Sequence, residues 1–403
     1  MNGPLDGVQV LEVANWLAGP TAAALLGDMG AQVIKIEPPS GDAWRGLVST
    51  TTGSGQAAGG PNWSFEMDNR GKRSATVNLN HPAGRAIIQQ LAERADVFIT
   101  NLSPARAERY TLTYPTLSAR NPRLIYAWVT AYGAEGPDRD RLGFDFTAYW
   151  ARSGMMHLLG DAGAPPMLQR GGMGDHTTAL AMLSGILAAL IERGQSGLGQ
   201  EVRCSLLNTG AFVLSGDLQT ALVTGQDPPK RDAVSPPNPI QQRYQCADGR
   251  WLLLNMPQSD PYWPKVCRAL DRPDLIDDVR CATFGARAQN SREICAIIAG
   301  IIATAPLDAW TPRFEAQGVI WAPVALPTEV IADPQAHANR HFATIEHPTL
   351  GRFQTVDIPI RFGRSHVTVR GPAPEVGQHT EEVLSELGHT WSEIAALRAA
   401  GAI

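Results

Sequence analysis

Val8-Gln-Val-Leu-Glu-Val13, Ala14-Asn-Trp-Leu-Ala-Gly-Pro20, the run from Thr21 to Met29, and Gln32-Val-Ile-Lys-Ile36 closing on Glu37 together decide the fold. The outer runs are short, apolar and β-branched, and an Ala/Leu helix pattern lies between them behind a Gly-Pro turn. A strand, a helix and a strand in succession need a crossover connection, which makes the two strands parallel and the crossover right-handed. An acidic residue after the second strand also suits a dinucleotide-binding unit. The turn has no G-x-G-x-x-G, however, so the backbone offers no seat for a pyrophosphate and NAD binding is disfavoured.

Outward from this unit the alternation repeats. A helix is expected over residues 82–94, strands over 96–100 and 124–129, and a strand-like run over 75–79. The pattern predicts an α/β fold: a Rossmann-like, doubly wound large domain with a parallel sheet over residues 1–225. Residues 177–193 are apolar on nearly every side, which predicts a buried helix with Gly185 at a close contact. The Pro-rich stretch at 226–240 marks a boundary. A smaller α+β domain is expected over 226–329, opening with the hairpin-like run Tyr244 to Trp251. Residues 330–403 return to the large domain through short strands around 352–360 and an amphipathic helix over 380–387. Ser49 to Pro61 is Ser/Thr/Gly-rich and reads as a surface loop; it lacks the Gly-Lys-Ser/Thr ending of a phosphate loop.

Composition narrows the function. The chain has 403 residues, 44% hydrophobic and 18% charged, as a globular protein of two or three domains would. Its 34 Lys and Arg against 39 Asp and Glu give a net charge of −5, the wrong sign for a general nucleic-acid or anionic-membrane binder. Five cysteines without a CxxC pair favour reduced thiols and a cytoplasmic protein. The most apolar stretch, residues 179–191, is too short for a bilayer, so no membrane span is expected. The nine histidines form no H-x-x-x-H and no Gly-x-Ser-x-Gly is present, which argues against metal and serine hydrolases.

Two acids stand out. Asp175 ends Gly171-Gly-Met-Gly-Asp175, immediately before the buried helix. It reads as an N-cap or, by the same physics, as a nucleophilic carboxylate beside free helix-end N–H groups. Asp145, in Leu142-Gly-Phe-Asp-Phe146, is a second candidate acid or a loop cap, able to share a pocket with the first. His176 reads as a first-turn surface histidine, since sequence neighbours on a helix diverge and a dyad with Asp175 is disfavoured. Arg70, Lys72, Arg73, Arg106 and Arg109 are cations expected near the carboxyl ends of parallel strands, where phosphates bind, or else solvated surface charge.

With these residues in place the chain resembles the family III CoA-transferases, the group that includes formyl-CoA transferase, carnitine CoA-transferase and the α-methylacyl-CoA racemases. The matches run almost end to end: residues 5–13, Ala18-Gly-Pro20, 26–37, Gly41-Asp42, Asn69-Arg-Gly-Lys-Arg-Ser74, Asn101, Gly174-Asp175, 197–202, Asp248-Gly249 and 374–384. The resemblance implies a transferase with Asp175 as nucleophile, passing CoA from an acyl-CoA thioester to a carboxylic acid through an aspartyl anhydride and an aspartyl-CoA thioester. It implies no permanently bound cofactor, with coenzyme A entering as substrate. CoA contacts carry over to Leu17 and Ala18, to Val77, Asn78 and Asn80, to Asn101, Leu102 and Ser103, and to Arg109; Lys72, Arg73 and Asp145 complete the set. An interlocked homodimer is implied as well. The racemases place a histidine where this chain has Phe144, which cannot carry a proton, so racemization is the weaker reading; a silent acyl-CoA-binding homologue is a third. Pro236 to Gln241 replaces the glycine-rich flap of the oxalate enzymes, and Pro38 replaces an arginine of some relatives.

Overall fold

Six strands form one parallel sheet: β1 (Gln9–Val13), β2 (Gln32–Glu37), β3 (Arg73–Thr76), β4 (Val97–Thr100), β5 (Ile125–Thr130) and β6 (Glu201–Ser205). Their order is β3-β2-β1-β4-β5-β6, the doubly wound arrangement that the opening βαβ unit predicts. The computed structural model describes residues 3–47 and 60–403; the loop expected at 49–61 falls, apart from its last two residues, outside the described residues.

Both faces of the sheet are covered. On one, the helices Ala18–Asp28 and Met173–Ser196 pack Ala22, Leu26, Met182 and Ile186 against Val10, Ile99 and Ala127. On the other, the helix Pro82–Arg94 and the two closing helices, Thr380–Glu386 and Trp391–Ala399, pack Ile88, Leu384 and Ile394 against Leu11, Phe98 and Tyr126. A sheet buried on both faces explains why its strands read as continuous apolar runs.

Two interior charges interrupt those runs. Glu12 of β1 lies opposite Lys35 of β2 in the register, and the Lys35 amine sits 2.8 Å from both Glu12 and Asp42, with all three side chains buried. Burial works against the lysine's charge, but Glu12 and Asp42 outweigh it and hold the amine protonated.

Several boundaries differ from the sequence reading, each for a local reason. The first helix starts at Ala18 rather than Thr21, because Pro20 in a first turn needs no N–H partner. β3 is Arg73–Thr76 rather than 75–79, its register fixed by pairing Ile34 with Arg73 and Glu37 with Thr76. The long helix begins at Met173, since Gly172 with φ of 87° turns the chain into it. That helix is long and apolar enough to cross a bilayer, yet its apolar side lies in the core, and a Cβ at Gly185 would fall 2.6 Å from Val202. The helix Trp391–Ala399 is additional, started by a Thr390/Glu393 capping box.

The chain divides into two compact units: residues 1–157, 167–227 and 337–403, and residues 158–166 with 228–336. The first holds the large sheet and an antiparallel hairpin that follows the second unit's strands in the chain. That second unit has β7 (Arg243–Gln245), β8 (Trp251–Leu254) and β9 (Trp321–Pro323) as an antiparallel sheet, backed by helices that bury Trp263, Ile298, Trp310 and Phe314. The hairpin of the first unit is β10 (Phe342–His347) and β11 (Gly351–Val356).

Candidate active site

In a doubly wound sheet the crevice opens at the carboxyl ends of the strands where the chain order reverses, here between β1 and β4. Asn101, just past β4, bridges it: its amide donates to the Asn15 carbonyl at 2.7 Å and accepts from the Asn15 N–H at 3.2 Å. The next residue, Trp16, has φ of 69°, an unfavourable left-handed conformation for a bulky side chain. Asp42 holds it there by accepting its N–H at 3.2 Å, and Asp42 is itself fixed by Lys35. The Trp16 ring meets Phe144 edge-on at 5.0 Å.

Phe144 leads into Asp145–Ala151, wound as a π-helix, a rare geometry that is common at functional sites. Asp145 is 4% exposed, and one of its oxygens accepts the Gly172 N–H at 2.7 Å. The other has no hydrogen-bond partner among the described residues and lies 2.2 Å from where a Cβ at Gly174 would stand. Tyr149 closes the same space, with its ring 2.3 Å from that position. Glycine at 174 is therefore a condition for the loop and the helix to meet.

Asp175 is the third residue of the helix and not its N-cap: Gly172 caps, and the carboxylate that accepts the capping N–H is Asp145. The expected cap role for Asp175 is thus corrected. The glycines before it let the helix start a turn early, leaving its side chain in the first turn. Burial pushes the Asp175 carboxyl up to about 7, with the charges of Asp145 and Asp68 adding to the rise and His176 opposing it. Burial likewise raises the Asp145 carboxyl, against the Gly172 N–H, Trp150 and the Gly174 N–H.

His176 is more than a surface histidine. Its Nε2 lies 3.0 Å from Asp68 Oδ1, an atom that also accepts the Thr21 hydroxyl at 3.0 Å. Burial disfavours the imidazolium, but Asp68 first, then Asp175 and Asp145, raise its pKa. Asp68 is absent from the sequence reading, and no local pattern joins it to a histidine 108 positions away. The Glu12–Lys35 pair did leave a signal: one charge of each sign inside two adjacent apolar strands.

Most residues inferred to contact CoA gather at the carboxyl ends of the strands. Leu17 and Ala18 follow β1, Val77, Asn78 and Asn80 follow β3, and Asn101, Leu102 and Ser103 follow β4. Arg109, on the helix Pro104–Tyr110, reaches Asn80 at 3.5 Å. Asn78 is tied to the Gly401 and Ala402 carbonyls, and Ser103 caps its helix. Two residues lie elsewhere. Lys72 is buried, its amine on the Pro20 and Asp68 carbonyls, Asn69 and Glu12, and burial brings it down to about 8 despite Glu12. Arg73 stands at the amino end of β3, paired with Glu382 and Glu386. The expectation that the Arg70–Arg73 cluster sits at the carboxyl ends is corrected: it lies at the amino end of β3, and Arg70 pairs with Asp28 at 2.6 Å.

The open α/β sheet thus carries an acid pair near its switch point, Asp145 buried and Asp175 half-buried. The comparisons specify the class. Residues 5–380 match the model of CoA-transferase family III, and the chain belongs to that family of enzymes. It is 32% identical over 390 residues to an (R)-2-hydroxy-4-methylpentanoate CoA-transferase of Clostridioides difficile, covering 97% of each chain. It is 30% identical over 397 residues to a cinnamoyl-CoA:phenyllactate CoA-transferase of Clostridium sporogenes, covering 97% of this chain and 95% of that one. Among solved structures, a CAIB/BAIF family protein of Brucella suis superposes with a TM-score of 0.83 at 31% identity, over 96% of this chain and all of the other.

Proposed function

We propose that this enzyme moves CoA from an acyl-CoA to a carboxylic acid with Asp175 as the covalent carrier. The supporting observation is a first-turn carboxylate whose burial beside Asp145 makes it more basic, and so more nucleophilic, than an ordinary aspartate. Its oxygen attacks the thioester carbonyl; the C–S bond breaks and CoA leaves as thiolate, giving a mixed anhydride. The thiolate attacks the aspartyl carbonyl and the donor acid departs, leaving an aspartyl-CoA thioester. The acceptor carboxylate attacks that carbonyl and releases thiolate, which then attacks the acceptor's acyl carbon to form the new acyl-CoA and free Asp175. Every step exchanges one activated acyl bond for another, so no nucleotide is consumed.

Trp16 and Phe144 give the reacting end an aromatic wall, which favours apolar acyl groups. Phe144 cannot exchange a proton, which supports transfer over racemization. Incubation with a panel of aryl, branched 2-hydroxy and dicarboxylic acyl-CoAs, followed by hydroxylamine and peptide mass spectrometry, tests the proposal. An adduct confined to Asp175 and lost in Asp175→Ala is expected; unmodified protein with every donor would refute it.

The homodimer belongs to the same proposal. The helix Ser215–Thr224 buries none of its residues, and Phe212, Leu222 and Val223 are at least three-quarters exposed. Such an apolar surface calls for a partner, and a second copy is the proposed one. Light scattering should give twice the chain mass, falling to one chain in Leu222→Glu.

A further inference from the structure

Asp68 is fully buried, and its carboxylate has one polar group of opposite charge in hydrogen-bond reach, the His176 imidazole at 3.0 Å. The Thr21 hydroxyl shares the same oxygen, while Oδ2 has no hydrogen-bond partner among the described residues. Lys72 touches Asp68 only through the backbone carbonyl and is itself 2.7 Å from Glu12. A buried carboxylate needs a countercharge; the Lys72 charge acts on Asp68 without a hydrogen bond to its carboxylate, and within hydrogen-bond reach the task falls to the imidazolium form of His176. The ring lies at the start of the nucleophile's helix: a Cβ on Gly172 would stand 3.5 Å from its Cε1 and 3.5 Å from Leu17.

We propose that His176, locked onto Asp68, is a positioning residue for the reaction: its imidazolium supplies the positive charge that lets Asp175 stand as a carboxylate beside Asp145. This rests on the aspartyl mechanism above. The charged groups whose fields reach the imidazole are Asp68 from the helix Trp63–Asn69, Asp145 from the π-helix, and Asp175 beside it; the facing group of the helix Ala18–Asp28 is the neutral Thr21. Asp68 bonds the ring directly, and Gly172 stands between the ring and Asp145: it donates its N–H to Asp145, and a Cβ on it would lie 3.5 Å from the His176 Cε1. Removing its charge leaves the nucleophile facing two carboxylates, and its proton becomes harder to lose.

The test uses the full-length protein and the variants His176→Gln and Asp68→Asn. Carboxyl NMR of protein carrying 13C-labelled aspartate, with Asp175 assigned through Asp175→Asn, reads the titration without any substrate. The Asp175 midpoint is expected to move to higher pH in His176→Gln. Asp68→Asn should lower the midpoint of the His176 ring followed in histidine-labelled protein. In the transfer assay, His176→Gln should lose about tenfold in rate at pH 6 while staying within about twofold of wild type at pH 9. An unmoved carboxyl titration, or an equal loss at every pH, would overturn the proposal. Absence of any Asp175 adduct in the wild-type enzyme would instead overturn the aspartyl mechanism, and the carboxyl titration would still decide the charge relation.

Discussion

Gly174 and Asp175 carry opposite constraints on adjacent positions. A methyl group at 174 would collide with Asp145 and the Tyr149 ring. Gly174→Ala is expected to cost about 1–3 kcal/mol in urea unfolding, as overpacked sites do, and to remove transfer activity by parting the two acids. Asp175 burdens the fold. Its carboxyl binds a proton more tightly in the folded protein, near 7, than at its ordinary 3.8. The ionised form therefore destabilises the folded state fully above about pH 7, and the penalty fades as pH falls towards 4. Asp175→Asn should melt at a higher temperature than wild type at pH 8, with the gap closing towards pH 4. Transfer itself should rise with pH through an acid limb near 7, read from initial rates. Asp175 and Asp145 were legible as candidates because glycines surround one and aromatics the other. The Asp68–His176 bond was not, since it joins side chains 108 positions apart on two different helices.

At the scale of elements, the strands and helices of the large unit were legible wherever burial alone determines the pattern: β1, β2, β4 and the helix Pro82–Arg94 lie within a residue or so of the apolar runs that announce them. Helix starts were harder. A glycine in the left-handed region at 172 starts the long helix before its apolar face begins, and an apolar count cannot register that. Charges inside strands mark a second departure. Lys35→Met would leave Asp42 buried without a countercharge and Glu12 with Lys72 alone, and should cost about 3–5 kcal/mol in urea denaturation. The loss should also free Trp16, whose conformation Asp42 secures, so acyl selectivity measured across a donor panel should broaden in any variant of Lys35 that still folds.

For the whole molecule, a sheet order with its reversal between β1 and β4 locates the crevice without reference to any ligand. Asn101 spans that reversal, and Asn101→Ala should raise KM for acyl-CoA while costing about 1–2 kcal/mol through its two lost hydrogen bonds. The large unit is built from three separate stretches of chain, and its last stretch reaches back to its first: the Asn78 amide and side chain bond to Ala402 and Gly401, 323 positions from Asn78 at the nearer contact. At about 5–20 residues per second of synthesis, the strand-end loop at Asn78 leaves the ribosome roughly 16–65 s before the residues that tie it down. The half-made chain thus spends that interval with the loop at the end of β3 unfastened, a window in which chaperones have access to it.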